Sequence, residues 1–244
     1  MKLTFKQYII SEVELSANFP IHKELEQSIW DKNVLRTDVK AAMKKIAKEF
    51  EKFLESPDVK VVDVIFTGSL ANFNYTKYSD VDIHLILDAK SSDNDQCVID
   101  LREFLMAKKN LWNQTHNIVI HKFPVEVYAQ LADESNVASG VYSLTKDEWI
   151  TKPTHISKKY NKYAVEVKAK HLAHAIDKVI EDKVDDSDVL KKIMEKIKTM
   201  RKSGLEKGGE MSEENLAFKV LRNNGYLEKL TKYRTKVRDK TLSL

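Results

Sequence analysis

The chain has 244 residues, 42% hydrophobic and 32% charged, with only 6 glycines and 4 prolines; this excludes collagen-like, low-complexity and mostly disordered chains and favours a helix-rich protein with a sizeable core. Cys97 is the sole cysteine, which excludes an intramolecular disulfide and a cysteine-based zinc site. The net charge of +4 is unevenly spread: residues 1–150 carry 18 Lys/Arg against 23 Asp/Glu, a balance of −5, and residues 151–244 carry 23 against 14, a balance of +9, which hints at a polyanion meeting the C-terminal half.

Taken in chain order, residues 4–15 form a short amphipathic stretch. No apolar run approaches the roughly 18–20 residues that cross a bilayer. The opening Met1-Lys2-Leu3-Thr4-Phe5-Lys6 is too charged for a signal peptide, so a cytoplasmic location with no membrane partner is expected. Thr37 to Glu55 has Val39, Met43, Ile46, Phe50 and Leu54 at three- and four-residue spacing, with Thr37 placed to cap a helix and Ser56-Pro57 to stop it. Val59 to Thr67 is rich in β-branched residues and closed by Gly68, which predicts a strand; Val81 to Leu87 predicts a second. A helix is expected over 94–110, then short strands over 117–121 and 125–130. Beyond Pro153 the pattern is helical over 160–180, 189–201, 212–222 and 226–238, with Ser212 as a cap and Ser203-Gly204 as a loop.

Chemistry concentrates in Phe66-Thr67-Gly68-Ser69 and Ser79-Asp80-Val81-Asp82-Ile83-His84. A Gly-Ser at the end of a strand lets backbone N–H groups approach an anion closely and adds a hydroxyl. Asp80 and Asp82 are two apart on a strand, so both carboxylates leave one face, with His84, while Val81, Ile83, Leu85 and Leu87 leave the other. Neighbouring carboxylates repel, and a hard divalent cation resolves that conflict. Glu126 lies between Val125 and Val127 on the expected strand over 125–130; if that strand lies beside the Asp80–Leu87 strand, three acidic groups share one surface. Such a set is able to hold two metal ions roughly 3.5–4 Å apart.

On these residues the sequence resembles the DNA-polymerase-β-like nucleotidyltransferase superfamily, whose pattern is Gly-Ser after a strand, Asp-x-Asp on the next strand and a third acid on a later one. The resemblance covers about residues 37–130, and Glu126 departs from it where many members carry aspartate. It implies an α+β fold, a mixed sheet flanked by helices in a catalytic domain over 1–152, followed by an all-α C-terminal domain over 153–244. The helical remainder resembles the oligoadenylate-synthase-like and poly(A)-polymerase-like branches. The implied activity is Mg²⁺-dependent (or Mn²⁺-dependent) transfer of an NMP from an NTP, ATP being favoured, to a hydroxyl. Asp80, Asp82 and Glu126 would be catalytic and metal-binding. Gly68, Ser69 and Ser79 would hold the nucleotide's phosphates, and Tyr142, ahead of Trp149, would stack on a base. The acceptor favoured by the basic half is an RNA 3′ end or another nucleotide, with Lys229, Lys232, Arg234, Lys236, Arg238 and Lys240 tracking RNA. A protein hydroxyl is a further candidate acceptor, and a catalytically silent nucleotide- or RNA-binding module is the competing reading.

Overall fold

The periodicities of the sequence resolve into one six-stranded sheet and a series of helices in the computed structural model, which describes residues 14–56, 59–89, 95–134, 138–155 and 160–243. All but the last two residues of the amphipathic stretch expected over 4–15 lie outside the described residues. The chain divides into two compact units, Pro20–Ile156 and Ser157–Leu244, the latter together with the chain up to Phe19.

In the first unit, β1 (Trp30–Asp31) and β2 (Val34–Leu35) form a small hairpin that leads into α1 (Thr37–Leu54). Val39, Met43, Ala47, Phe50 and Leu54 make its buried stripe. Thr37 is not the cap but the first helical residue; the N-cap is Arg36, which makes no side-chain cap bond. The hairpin sets that boundary, because the Arg36 N–H is held by the Ile29 carbonyl while the Arg36 carbonyl already accepts from Lys40.

The sheet is built on β3 (Val59–Thr67) and β4 (Val81–Ala89), which pair antiparallel. From β4 the chain crosses through α2 (Asp95–Thr115) to β6 (Phe123–Leu131), which pairs parallel to β4, as a long crossover permits. The short β5 (Val119–Ile120) pairs with the start of β6. β7 (Val141–Ser143) and β8 (Glu148–Thr151), not expected as strands, extend the sheet to the order β5-β6-β4-β3-β7-β8. At three and four residues they are too short for an alternating pattern to show. Alternation along β4 is realised: Val81, Ile83, Leu85 and Leu87 are fully buried, while Asp82, His84 and Ile86 are half-buried. α2 packs beside β6, where the Asn113 side-chain amide accepts from the Val127 N–H and donates to the Val127 carbonyl, both at 3.0 Å.

The second unit contains α3 (Lys162–Glu181), α4 (Ser187–Gly208), α5 (Glu213–Asn223) and α6 (Tyr226–Leu242). Its core draws on Val165, Leu172, Ile176, Leu190, Ile197, Leu216, Val220 and Leu230. Ser212 caps α5 as its sequence pattern predicts, accepting from the Asn215 N–H. Residues 14–19 belong here: the Ala17 N–H donates to Glu166 and the Phe19 N–H to the Tyr160 hydroxyl, each at 3.1 Å. Ser203-Gly204, expected as a loop, continues α4. A Cβ at Gly204 would lie 2.5 Å from Glu214 Cβ and 2.8 Å from Ser212 Oγ, so the glycine serves close helix packing rather than a break. Among the described residues, no helix is long and apolar enough to cross a membrane.

Candidate active site

β3 ends at Thr67, and Gly68 turns the chain with φ +82°, ψ −163°, a conformation that side chains rarely adopt. A Cβ there would collide with the Asp82 carboxylate, so Gly68 is pressed against an acidic side chain. A single 3-10 turn, Ser69–Ala71, follows, anchored by buried Leu70 and Ala71 and by the Trp30 indole, which donates to the Leu70 carbonyl at 2.8 Å. The hydroxyls of Ser69 and Ser79 lie 2.7 Å apart, and buried Ser79 also accepts from the Thr76 N–H at 2.9 Å. The two serines named from the sequence therefore form one hydrogen-bonded pair beside the Gly68 turn.

Asp80 immediately precedes β4 and Asp82 is its second residue; Thr67, Asp82 and Glu126 stand side by side across β3, β4 and β6. Asp80, Asp82 and Glu126 each offer a carboxylate oxygen within 4.8 Å of the other two, and all three are half-buried. The parallel pairing of β4 with β6 is what places Glu126 beside Asp82. Three oxygen donors at this separation, with like charges and partial desolvation, suit a hard divalent cation.

Around this set lie Tyr128 and Lys109, which the sequence did not single out, and His84, which its strand spacing places on the face of the aspartates. The Tyr128 hydroxyl donates to Glu126 Oε2 at 2.5 Å, and Lys109 Nζ, from α2, sits 3.9 Å from the centroid of the Tyr128 ring. His84 stacks on Tyr128 with ring centroids 4.5 Å apart, and its Nδ1 meets Gln130 Oε1 at 2.6 Å. Burial pushes the Tyr128 phenol far up, reinforced by Glu126 and the two aspartates. Burial also lowers the Lys109 ammonium, against the pull of Glu126 and Asp82, and lowers the His84 imidazole, against its bond to Gln130. Tyr128 was detectable by the two-residue spacing that paired Asp80 with Asp82. Lys109 left no such signal, since its approach depends on how α2 lies against β6.

Tyr142 is not available to a base. It stands opposite Phe66 on β7, is only 4% exposed, and its ring meets Trp30 and Trp149 edge-on at 5.3 and 5.2 Å, while its hydroxyl donates to Asp147 at 2.8 Å. Pairing with β3 carries it into the core, where an aromatic ring packs instead of stacking on ligand. Part of the basic set on α6 is also committed: Lys229 pairs with Asp177 and Lys232 with Glu228, each at 2.5 Å.

A family model described as a nucleotidyltransferase domain matches residues 43–209, more than half of the chain, and that span includes Gly68, Ser69 and all three carboxylates. Among solved structures, the chain is similar to a STING-associated CdnE c-di-GMP synthase from Capnocytophaga granulosa at 10% identity, over 85% of this chain and 84% of that chain, with a TM-score of 0.24. A likeness that remote bears on neither substrate nor product. No curated protein matches the chain.

Proposed function

The chain belongs to the nucleotidyltransferase domain family, and from that premise we propose that it moves an NMP from an NTP to a hydroxyl acceptor, releasing pyrophosphate, with Asp80, Asp82 and Glu126 holding divalent cations. The convergence of three half-buried carboxylates within 4.8 Å beside a glycine turn carries this reading. A fold gains nothing from bringing like charges together unless a counter-charge joins them.

Bound Mg²⁺ or Mn²⁺ supplies charge neutralisation and a more acidic acceptor hydroxyl. The protein's own residues do the rest by position. Gly68, lacking a side chain, leaves room for the Asp82 carboxylate beside the turn; the backbone N–H groups of the turn would meet phosphate oxygens, and Ser69 offers its hydroxyl, paired with Ser79. Asp80 and Asp82 face the reacting phosphate from the β4 side. Glu126 would hold a cation on the acceptor side, and the acceptor's proton passes to solvent as the acceptor oxygen bonds to the α-phosphorus and the bond to the β-phosphate oxygen breaks. Positioning and electrostatic stabilisation supply most of the rate. ATP is the favoured donor, and an RNA 3′ end or a second nucleotide is the favoured acceptor, in keeping with the +9 balance of residues 151–244.

The test is incubation of the full chain with each α-labelled NTP, Mg²⁺ or Mn²⁺, and RNA, protein or no added acceptor. Label entering RNA, protein or a new small nucleotide supports the reading and names the acceptor. Label that moves nowhere, or equally well with Asp80→Ala, overturns it.

A further inference from the structure

Glutamate has one more rotatable bond than aspartate, so a glutamate in a metal-binding set needs a restraint that an aspartate does not. Around Glu126 that restraint is visible. Resting on the reading of Glu126 as a metal ligand, we propose that Tyr128 is a positioning residue: its hydroxyl ties down Oε2 and presents Oε1 to the cation, with Lys109 and His84 holding the phenol in place.

Four observations converge on this. The Tyr128 O–H donates to Glu126 Oε2 at 2.5 Å, fixing the carboxylate's rotation. Glu126 and Tyr128 leave the same face of β6, and Val127 between them is clamped at both its N–H and its carbonyl by the Asn113 amide, so the backbone carrying the pair is held from α2. His84, itself anchored on Gln130, stacks on the phenol ring and limits its swing. Lys109 Nζ, 3.9 Å from the ring centroid, polarises the phenol toward donating, and its charge is felt by Glu126 and Asp82 while the ammonium is seated on the ring. A cation placed one ring away offsets negative charge without taking up the carboxylate oxygen that a metal needs. Partners of this kind commonly tune metal affinity 10- to 100-fold or so.

The test reads Mn²⁺ binding to the full-length protein by electron paramagnetic resonance, alongside label transfer and thermal unfolding. Tyr128→Phe keeps the ring and removes only the hydroxyl. It is expected to weaken Mn²⁺ binding about tenfold, to raise the Mn²⁺ concentration giving half-maximal transfer by a similar factor, and to leave unfolding near wild type. In a Glu126→Asp background the shorter carboxylate no longer reaches the hydroxyl, so adding Tyr128→Phe is expected to change nothing. His84→Leu, which removes the ring stacked on the phenol, is expected to weaken binding about threefold and serves if Tyr128→Phe folds poorly. Wild-type Mn²⁺ binding by Tyr128→Phe, or equal losses in both backgrounds, overturns the proposal and leaves the metal site standing. Failure of wild type to bind Mn²⁺, or binding indifferent to Asp82→Ala, overturns the metal-site reading and the proposal with it.

Discussion

In the helical unit, charges meet their opposites: Lys168 is shared by Glu213, at 3.0 Å, and Glu214, Lys229 pairs with Asp177, and Lys232 pairs with Glu228. In the sheet unit three carboxylates meet each other, half-buried, against a glycine turn. Exposed ion pairs each contribute little and are screened by salt, so a helix surface acquires and loses them at small cost. Like charges gathered at one sheet face oppose the fold and persist because a buried core beneath, Val81, Ile83 and Val127, holds the strands in register. The contrast teaches where to look for chemistry in this chain: at the like charges that the fold gathers on one sheet face, rather than at the ion pairs of the helix surfaces.

The comparison breaks most visibly at the aspartates. Asp82→Ala or Asp80→Ala is expected to cut label transfer by more than about 100-fold, while the unfolding temperature holds or rises because repulsion is relieved; a loss of both activity and fold would show the carboxylates to be structural. Gly68→Ala places a methyl group against the Asp82 carboxylate at a positive φ. It is expected to cost about 1–3 kcal/mol of stability and at least tenfold or so in transfer as Asp82 is displaced, read by denaturant unfolding and label transfer on one preparation. In the other unit, Gly204→Ala presses on Glu214 and Ser212 and is expected to destabilise by about 1–3 kcal/mol, read by calorimetry.

The smallest effect belongs to the balanced charges. Lys168→Met is expected to cost no more than about 1 kcal/mol, less in high salt. Its pH dependence has a definite sign. The Lys168 hydrogen bond holds the Glu214 carboxyl below its ordinary value of 4.5, and a carboxylate depressed in the folded state contributes stability above its unfolded pKa. The difference between wild type and Lys168→Met is therefore full at neutral pH and closes as pH falls from 4.5 through the lowered value. Burial works against the Lys168 ammonium, but Glu214 and Glu213 outweigh it and raise its pKa, so the same difference persists to high pH. Parallel acid unfolding curves for the two proteins would contradict this.

Much of the sheet was legible before any coordinates. Val59–Thr67 matches its expected bounds, and β4 and β6 each run only a residue or two beyond theirs. The site was legible to the extent that Asp80, Asp82 and Glu126 were named, with Gly68 and Ser69 beside them. What escaped depends on neighbours remote in sequence. Thr37 looks like a cap until the hairpin before it fixes Arg36 at the boundary. Gly204 looks like a loop until α5 packs against it. Tyr142 looks like a base platform until β7 pairs with β3 and turns its ring among Trp30 and Trp149.

The sequence by itself determined the local frame: helices where apolar residues recur at three and four, strands where they alternate, a glycine bend, and two aspartates on one strand face. These depend on backbone geometry within a few residues, which any chain carries in its order of side chains. Only the tertiary structure decided that β6 lies parallel to β4 so that Glu126 joins the pair, and that α2 brings Lys109 over Tyr128 beside it. Strand order and helix placement are settled by burying the whole core at once, a sum over distant residues that no short window of sequence contains.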